Sequence, residues 1–358
     1  MKVLVIAEQL RRPVPGGIGT YVRGLIGGLR DLADPPAVEL IASRPRHGAP
    51  DPVAALGLPV HTAPVPGRAL VAAWDRGFVP ITAPAEVVHA TSLAVPPVGR
   101  APLTAMVHDL AWRSHPEAYP WRGRRWHEAA LRRALRRAEV LLVPSEPVAA
   151  AVAEAGGKGR VRVVAEGCDH LPPADRDAAA TLLGNLGVGG PYLLSVSTLE
   201  PRKNLAGLVG AYAKARSALP EPWPLVVVGP SGWGRNHAGL AEAPGVVLAG
   251  RVPDAVLAGL YAGARLVAYV PWAEGWGLPV VEAMHAGVPV VASDVPSAGE
   301  AARVVDAGDI ESIAAGLIEV AGDDVARAGL VEAGSRRAAG LTWAAAAAGH
   351  VAVWRELW

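Results

Sequence analysis

The sequence predicts an α/β protein of two doubly wound, Rossmann-like domains. Three observations lead there. The chain has 358 residues, more than one ordinary domain holds and suited to two. Short, continuously apolar, β-branched runs alternate with stretches of helical spacing, the pattern of strands buried on both faces of parallel sheets. The alternation stops within 170–190, where Pro172, Pro173, Gly184, Gly187, Gly189 and Gly190 cluster, and then restarts.

In the first half the apolar runs place strands at 3–7, 38–42, 87–90, 103–107, 140–143 and 161–164. In the second half they place them at 192–196, 225–228, 246–248, 266–270, 288–292 and 303–306. Helical spacing appears at 21–32, 205–215 and 310–320. The expected organisation is a first domain over 1–170, a second over 171–340, and a terminal Ala-rich helix over 341–358 that ends in Trp354 and Trp358. An apolar helix at a chain end has to dock, and the first domain is the surface expected to receive it.

Hydrophobic residues make up 51% of the chain and charged residues 19%, so large cores are affordable and disorder is not expected. A formal net charge of +1 argues against a dedicated nucleic-acid binder. The one cysteine, Cys168, excludes an intramolecular disulfide, suits a reducing cytoplasm and reads as a small buried hydrophobe. The run 3–7 is too short for a signal segment, and no apolar run approaches the roughly 20 residues of a membrane span. The expectation is a soluble cytoplasmic protein, at most peripheral to a membrane.

The chemistry is densest between Pro271 and Gly287. A strand ends just before this stretch. A helix is expected from Leu278, with Pro279 in its first turn and Gly287 at its end. Glu274, Gly275, Trp276 and Gly277 therefore lie on a strand-to-helix loop at the carboxyl end of a sheet, where open α/β sheets bind ligands. The glycines permit close backbone approach. The N–H groups of the helix start can hold phosphate or sugar oxygens. Glu282, early in the same helix, can accept hydrogen bonds from two ribose hydroxyls, and Glu274 can reach another part of the same ligand. Acidic residues also serve helix starts as caps, so it is the combination that carries weight.

Glu274 and Glu282 are eight apart, within Glu-Gly-Trp-Gly-Leu-Pro followed by Glu-Ala-Met. This text resembles the E-x7-E signature of retaining GT-B glycosyltransferases, family 4 in particular, with Trp276 where the family usually has Phe. The resemblance implies a first Glu on the donor sugar and a second on the nucleotide ribose. The segment 249–254, with Gly250 and Val252, resembles the family segment whose backbone meets the base.

After the first strand of the second half come Thr198, Arg202 and Lys203. A cation pair at a strand end suits a diphosphate, whose charge grows as it departs. The family carries R-x4-K here. Lys203 matches its Lys, Thr198 occupies the Arg position, and Arg202 sits beside the lysine instead. The wording Thr-Leu-Glu-Pro-Arg-Lys-Asn is similar to that of a mannosyltransferase-rich subgroup, which points the donor towards GDP-mannose ahead of a UDP-sugar. The donor would be a co-substrate; no resident cofactor or metal is implied.

In the first half, the Gly16-Gly17 loop follows a strand and opens a helix, out of register with a dinucleotide fingerprint. It resembles the N-terminal glycine loop of family 4. His108, in Val-His-Asp-Leu, resembles the family histidine near the donor sugar; the resemblance implies no general base, because the departing phosphate takes the acceptor's proton. At 100° per residue, Leu131, Ala134, Leu135 and Ala138 share one face of a basic helix, and Arg132, Arg133, Arg136, Arg137 and Trp126 the other. That stripe suits anionic lipid or a glycan acceptor. The function expected is hexosyl transfer to a glycan, lipid-linked or small-molecule hydroxyl. The rivals are a sugar-nucleotide epimerase on the same fold and a catalytically silent sugar-nucleotide-binding subunit.

Overall fold

The computed structural model describes residues 1–45, 48–232 and 238–358. The chain forms two compact units. One comprises Met1–Arg113, Pro120–His170 and Thr342–Trp358; the other comprises Ser114–Tyr119 and Leu171–Leu341.

The first unit carries a seven-stranded sheet: β1 (Lys2–Ile6), β2 (Ala37–Ala42), β3 (Val60–Thr62), β4 (Val87–Ala90), β5 (Leu103–Met106), β6 (Val140–Val143) and β7 (Val161–Val163). The spatial order is β3-β2-β1-β4-β5-β6-β7 and every pairing is parallel. The second unit carries β8 (Leu193–Val196), β9 (Leu225–Val228), β10 (Val246–Gly250), β11 (Leu266–Tyr269), β12 (Val290–Ala292) and β13 (Arg303–Val304). Their order is β10-β9-β8-β11-β12-β13, again all parallel. Central strands such as β4, β5, β6, β9 and β11 are buried along their whole length, as their apolar sequences require.

The sequence reading departs from the structure at sheet edges and at glycines. Strand β3, Val-His-Thr, lies at an edge and has no apolar run to announce it. The helix expected at 21–32 runs from Gly16 to Arg30, through six glycines of low helix propensity. Those at 24 and 28 have a packing reason. A Cβ on Gly24 would collide with the Trp343 ring, and one on Gly28 with the Trp343 backbone. The two glycines, four apart, open a groove for the start of the terminal helix Trp343–Leu357. Thr342 caps that helix by accepting from Ala345 N at 3.1 Å, and Asp169 accepts from Trp343 N at 2.7 Å.

Polar groups fix the same helix to the sheet through one directed chain. His350 Nδ1 faces the Ala346 carbonyl at 2.8 Å and must donate to it. His350 Nε2 is then an acceptor, filled by the Tyr21 hydroxyl at 2.7 Å. Tyr21 oxygen accepts in turn from His89 Nε2 at 2.8 Å, and His89 Nδ1 accepts from Thr104 Oγ1 at 2.9 Å. Trp354 Nε1 closes the chain by donating to Thr104 Oγ1 at 3.2 Å. Every donor has one acceptor only while both histidines are neutral. Burial pushes both ring pKa values down, well below the usual range for His89 and to about 4 for His350.

Acid should therefore loosen this unit. The unfolded chain takes up the His350 proton near pH 6.5 and the folded chain near 4. Stability is complete above 6.5 and falls as pH drops towards 4, by about 3 kcal/mol for this histidine, with His89 adding in the same direction. Urea melts across pH 4–7 measure the slope. Tyr21→Phe keeps the ring but orphans two buried nitrogens, and should cost about 2–4 kcal/mol at pH 7; a melt matching wild type would contradict the chain.

Candidate active site

The sheet of the second unit reverses its winding between β8 and β11. From β8 the chain builds outward through β9 and β10, then crosses back to lay β11 on the other side of β8. Loops leaving neighbouring strands in opposite directions open a crevice at their carboxyl ends. The two loops at this crevice are those that carry the cations and the glutamates.

The loop after β8 makes one 3-10 turn, Pro201–Lys203. Asn204 then takes a left-handed conformation, φ 53°, which asparagine tolerates better than most residues. Its amide donates to the Ala307 carbonyl at 2.8 Å. This bend starts the helix Leu205–Ala215 and leaves Arg202 and Lys203 beside the loop that follows β11. The loops are also joined through backbone, Trp272 N donating to Arg202 O at 2.9 Å.

Glu274 Oε1 is the common acceptor of this cluster. Arg202 Nη1 donates to it at 2.8 Å, Tyr269 hydroxyl at 2.8 Å, and Lys203 Nζ forms a short ion pair with it. Arg202 also binds the Ala273 carbonyl at 3.0 Å and Glu200 Oε1 at 3.0 Å, and Lys203 reaches the Tyr269 hydroxyl at 2.9 Å. The Glu274 side chain is only 11% exposed. Burial alone would raise its pKa, but the charges of Arg202 and Lys203 and the hydrogen bonds from Lys203 and Tyr269 outweigh it and hold it at about 2. Glu274 is an anion at neutral pH. Glu200, its side chain 5% exposed, is pushed up by desolvation despite the same cations.

Gly277 caps the helix Leu278–His285 with φ 102°. A Cβ there would meet Ser297 Oγ at 2.8 Å, so the glycine serves the backbone and its packing against Ser297. Ser297 clamps the loop, its hydroxyl donating to Gly277 O at 2.9 Å and its N–H to Trp276 O at 3.1 Å. Gly275, Trp276 and Leu278 are buried. Trp276 Nε1 is a buried donor with no partner among the described residues. Glu282 lies one turn into the helix and is 7% exposed, with Tyr261 hydroxyl donating to its Oε2 at 2.7 Å.

Thr198 is half-buried on the β8 loop. Gly250, φ 66° with open space where a Cβ would point, ends β10, and Val252 follows it. They share the carboxyl edge but are separated from β8 by β9. In the first unit, Gly16, φ 61°, and Gly17 open the helix Gly16–Arg30 and are exposed. Tyr21 of that helix meets His108 edge-on, ring centroids 4.9 Å apart. His108 Nδ1 faces Glu166 Oε1 at 3.0 Å and Nε2 faces the Thr91 carbonyl at 3.0 Å. Two acceptors require two N–H donors, hence an imidazolium. Burial disfavours that charge, but Glu166, with smaller help from Thr91 and Asp109, lifts the pKa above its usual value.

The basic helix Trp121–Arg137 corrects the sequence reading. Trp126, Arg133 and Arg137 are not on one exposed stripe with Arg132 and Arg136. At spacings of seven and four, Trp126, Arg133 and Arg137 share a stripe turned towards the helix Gly67–Asp75. Trp126 Nε1 donates to Asp75 Oδ2 at 2.9 Å, Arg133 pairs with Asp75, and Arg137 donates to the carbonyls of Trp74 and Val95 at 3.0 and 2.8 Å. Arg132 and Arg136 remain exposed. Period alone treated all arginines as outward; the Asp75 carboxylate turned Arg133 in, and the backbone carbonyls of Trp74 and Val95 turned Arg137 in.

Four side chains of these clusters escaped the sequence reading: Tyr269, Glu200, Tyr261 and Glu166. Tyr269 and Tyr261 sat inside apolar runs. Glu200 stood two residues before Arg202, and Glu166 had no pattern of its own.

A family model described as "Glycosyltransferase Family 4" matches residues 15–170, and one described as "Glycosyl transferases group 1" matches 190–323. The chain is similar to O-antigen chain mannosyltransferase B of Escherichia coli, 31% identical over 250 residues, 66% of this chain and 65% of that protein. It is similar to D-inositol 3-phosphate glycosyltransferase of Rhodococcus opacus (strain B4), 34% identical over 203 residues, 51% of this chain and 45% of that protein. The chain thus spans about two thirds and about half of these relatives. In fold it resembles the crystal structure of Anabaena Alr3699/HepE in complex with UDP and glucose, with a TM-score of 0.72, 19% identity, and coverage of 99% and 100%. The chain belongs to the family-4-like glycosyltransferases of the GT-B fold.

Proposed function

We propose that this protein transfers a hexosyl group from a nucleoside-diphosphate sugar to an acceptor hydroxyl, with retention at the anomeric carbon. The observation that carries the reading is the Glu274 cluster at the switch between β8 and β11, where an ionised carboxylate holds Arg202 and Lys203 in place. Cations fixed before the ligand arrives need no reorganisation as the diphosphate departs.

In this reading, Glu282 binds the ribose, Glu274 orients the sugar and the cations, and Trp276 Nε1 supplies a donor to a ligand oxygen. Thr198, Gly250, Val252, Gly275, Gly277 and Leu278 line the nucleotide-sugar site. The anomeric C–O bond to phosphate breaks, the bond to the acceptor oxygen forms on the same face, and the acceptor's proton passes to the departing phosphate oxygen. A carboxylate with a pKa of about 2 donates no proton at neutral pH, so Glu274 is not a general acid. His108 contributes a fixed positive charge, since both ring N–H groups are engaged. The phosphates are neutralised by Arg202 and Lys203 and need no resident metal. Mannose from GDP-mannose is the favoured donor because the relatives include O-antigen and phosphatidyl-myo-inositol mannosyltransferases. The UDP complex of the structural neighbour keeps UDP-sugars as the other donor class to test.

Peripheral membrane contact is proposed for the start of the basic helix. Trp121 is 55% exposed, and the guanidinium groups of Arg122 and Arg125 lie 5.4 and 5.8 Å from its ring centroid. Among the described residues no helix is long and apolar enough to cross a membrane.

Calorimetric titration with GDP, UDP and their sugars tests the donor site. Glu282→Ala should weaken nucleotide binding about tenfold or more, whereas Glu274→Ala should mainly lower kcat. Wild-type binding and turnover in both variants would refute the assignment. Vesicles of anionic lipid should sediment the protein at low salt and release it at high salt. Retention of that binding by Trp121→Ala with Arg122→Ala and Arg125→Ala would remove this helix from the contact.

A further inference from the structure

Ser297 donates twice to the 274–277 loop, through its hydroxyl to Gly277 O and through its N–H to Trp276 O. It is fully buried, so its place decides where that loop and the start of the helix Leu278–His285 lie. Ser297 itself sits in the connection between β12 and β13, which forms turns and no regular helix or strand. Ala298 N donates to Val295 O at 3.0 Å, and Ala301 N to Ala298 O at 3.1 Å. These turns leave the carbonyls of Pro296 and Ser297 to be satisfied from elsewhere.

Arg337 satisfies both. Its Nη2 donates to Pro296 O at 2.9 Å and its Nε to Ser297 O. It comes from the helix Asp324–Ala339, which packs on the helix Leu278–His285. The approach is close: a Cβ on Gly334 would meet Met284 Cγ at 3.0 Å. Arg337, three residues after Gly334, lies on the same side of its helix and reaches from there to the turns. Gly299 makes room for it. Its φ is 51°, and a Cβ there would fall on the guanidinium, 2.7 Å from Nη1. A planar fork can bridge two consecutive carbonyls, which a single ammonium cannot do as well. Arg337 is half-buried, burial lowers its pKa, and no neighbouring charge opposes that shift. A side chain that only filled space would not need this charge, and burying one without a counter-ion is unfavourable.

We propose that Arg337 is a positioning residue for nucleotide-sugar binding, fixing the 274–277 loop through Pro296 and Ser297 before the ligand arrives. The hold on the loop stands on the hydrogen bonds alone; its consequence for binding rests on the function proposed above. Arg337 holds the turn, the turn holds Ser297, and Ser297 holds the loop. A loop already in its bound shape has little ordering left to do, so the effect falls on affinity.

Hydrogen exchange of the full chain without ligand tests the hold. Arg337→Ala should speed exchange about tenfold or more in peptides covering 274–281 and 295–301 and leave the first unit unchanged. Steady-state kinetics tests the consequence. Arg337→Ala should raise the donor KM about tenfold, with kcat at saturating donor and the acceptor KM within about twofold of wild type. A merely structural role would lower the active fraction, and so kcat, without moving the donor KM. Arg337→Lys keeps one donor head in place of the fork. It should fall between the two in both measurements, and it carries the test if the alanine variant does not fold. In a double-mutant cycle on donor affinity, Ser297→Ala and Arg337→Ala should be clearly non-additive, because one residue acts through the other. Wild-type exchange over 274–281 in both Arg337 variants, an unchanged donor KM, or full additivity overturns the proposal. Exchange that responds to Arg337 in a wild type that binds no nucleotide counts against the donor site and not against the hold on the loop.

Discussion

The parallel pairing of β8 with β11 is the constraint on which the candidate site depends. The two strands are more than 60 residues apart in sequence, yet they share a ladder, with Leu193 opposite Leu266 and Leu194 opposite Val267. Because both are parallel and adjacent, the loops that leave them emerge side by side. One brings Arg202 and Lys203 and the other brings Glu274. Their meeting follows from sheet order, and the winding reversal keeps the crevice above them clear of a crossover helix.

Electrostatics then makes the meeting stable. Two cations at the edge of a sheet repel each other and pay for desolvation. A carboxylate between them offsets both costs, and the Tyr269 hydroxyl gives the same oxygen a third donor. The charge state is therefore set before any ligand arrives. The histidine cluster of the first unit follows the opposite rule. His89 and His350 have no carboxylate facing them and are held neutral, so their hydrogen bonds run in one direction through Tyr21 and Thr104. His108, only one ring away across Tyr21, faces Glu166 and is held charged. One side-chain type takes opposite protonation states within a few ångströms because of what its nitrogens face.

Much of the fold was legible in the sequence because strands buried on both faces announce themselves as unbroken apolar runs. Twelve of the thirteen described strands overlap the expected runs, although β2, β7 and β13 each carry a charged residue; β3, with one histidine and one threonine in three residues at an edge, has no run to show. The loop from Glu274 to Glu282 was legible for a related reason. A strand, two glycines, a proline and two carboxylates follow one another within the span of a single turn and helix, so local spacing places them. The basic helix was misread because periodicity reports which residues share a face and says nothing about what that face meets. Asp75, from a distant segment, decided the matter for Arg133 and Trp126.

The sequence by itself determined the α/β class, the two runs of strands and helices, and the order of glycines and carboxylates along the loop after β11. These follow from backbone preference and burial, which act over a few residues at a time. Only the tertiary structure decided that one carboxylate oxygen binds both cations, that Tyr269 and Tyr261 stand behind the two glutamates, that Gly24 and Gly28 admit Trp343, and that Arg337 reaches the turn that carries Ser297. Each depends on distances between residues far apart in the chain, and those distances are fixed by strand order, which no local pattern records.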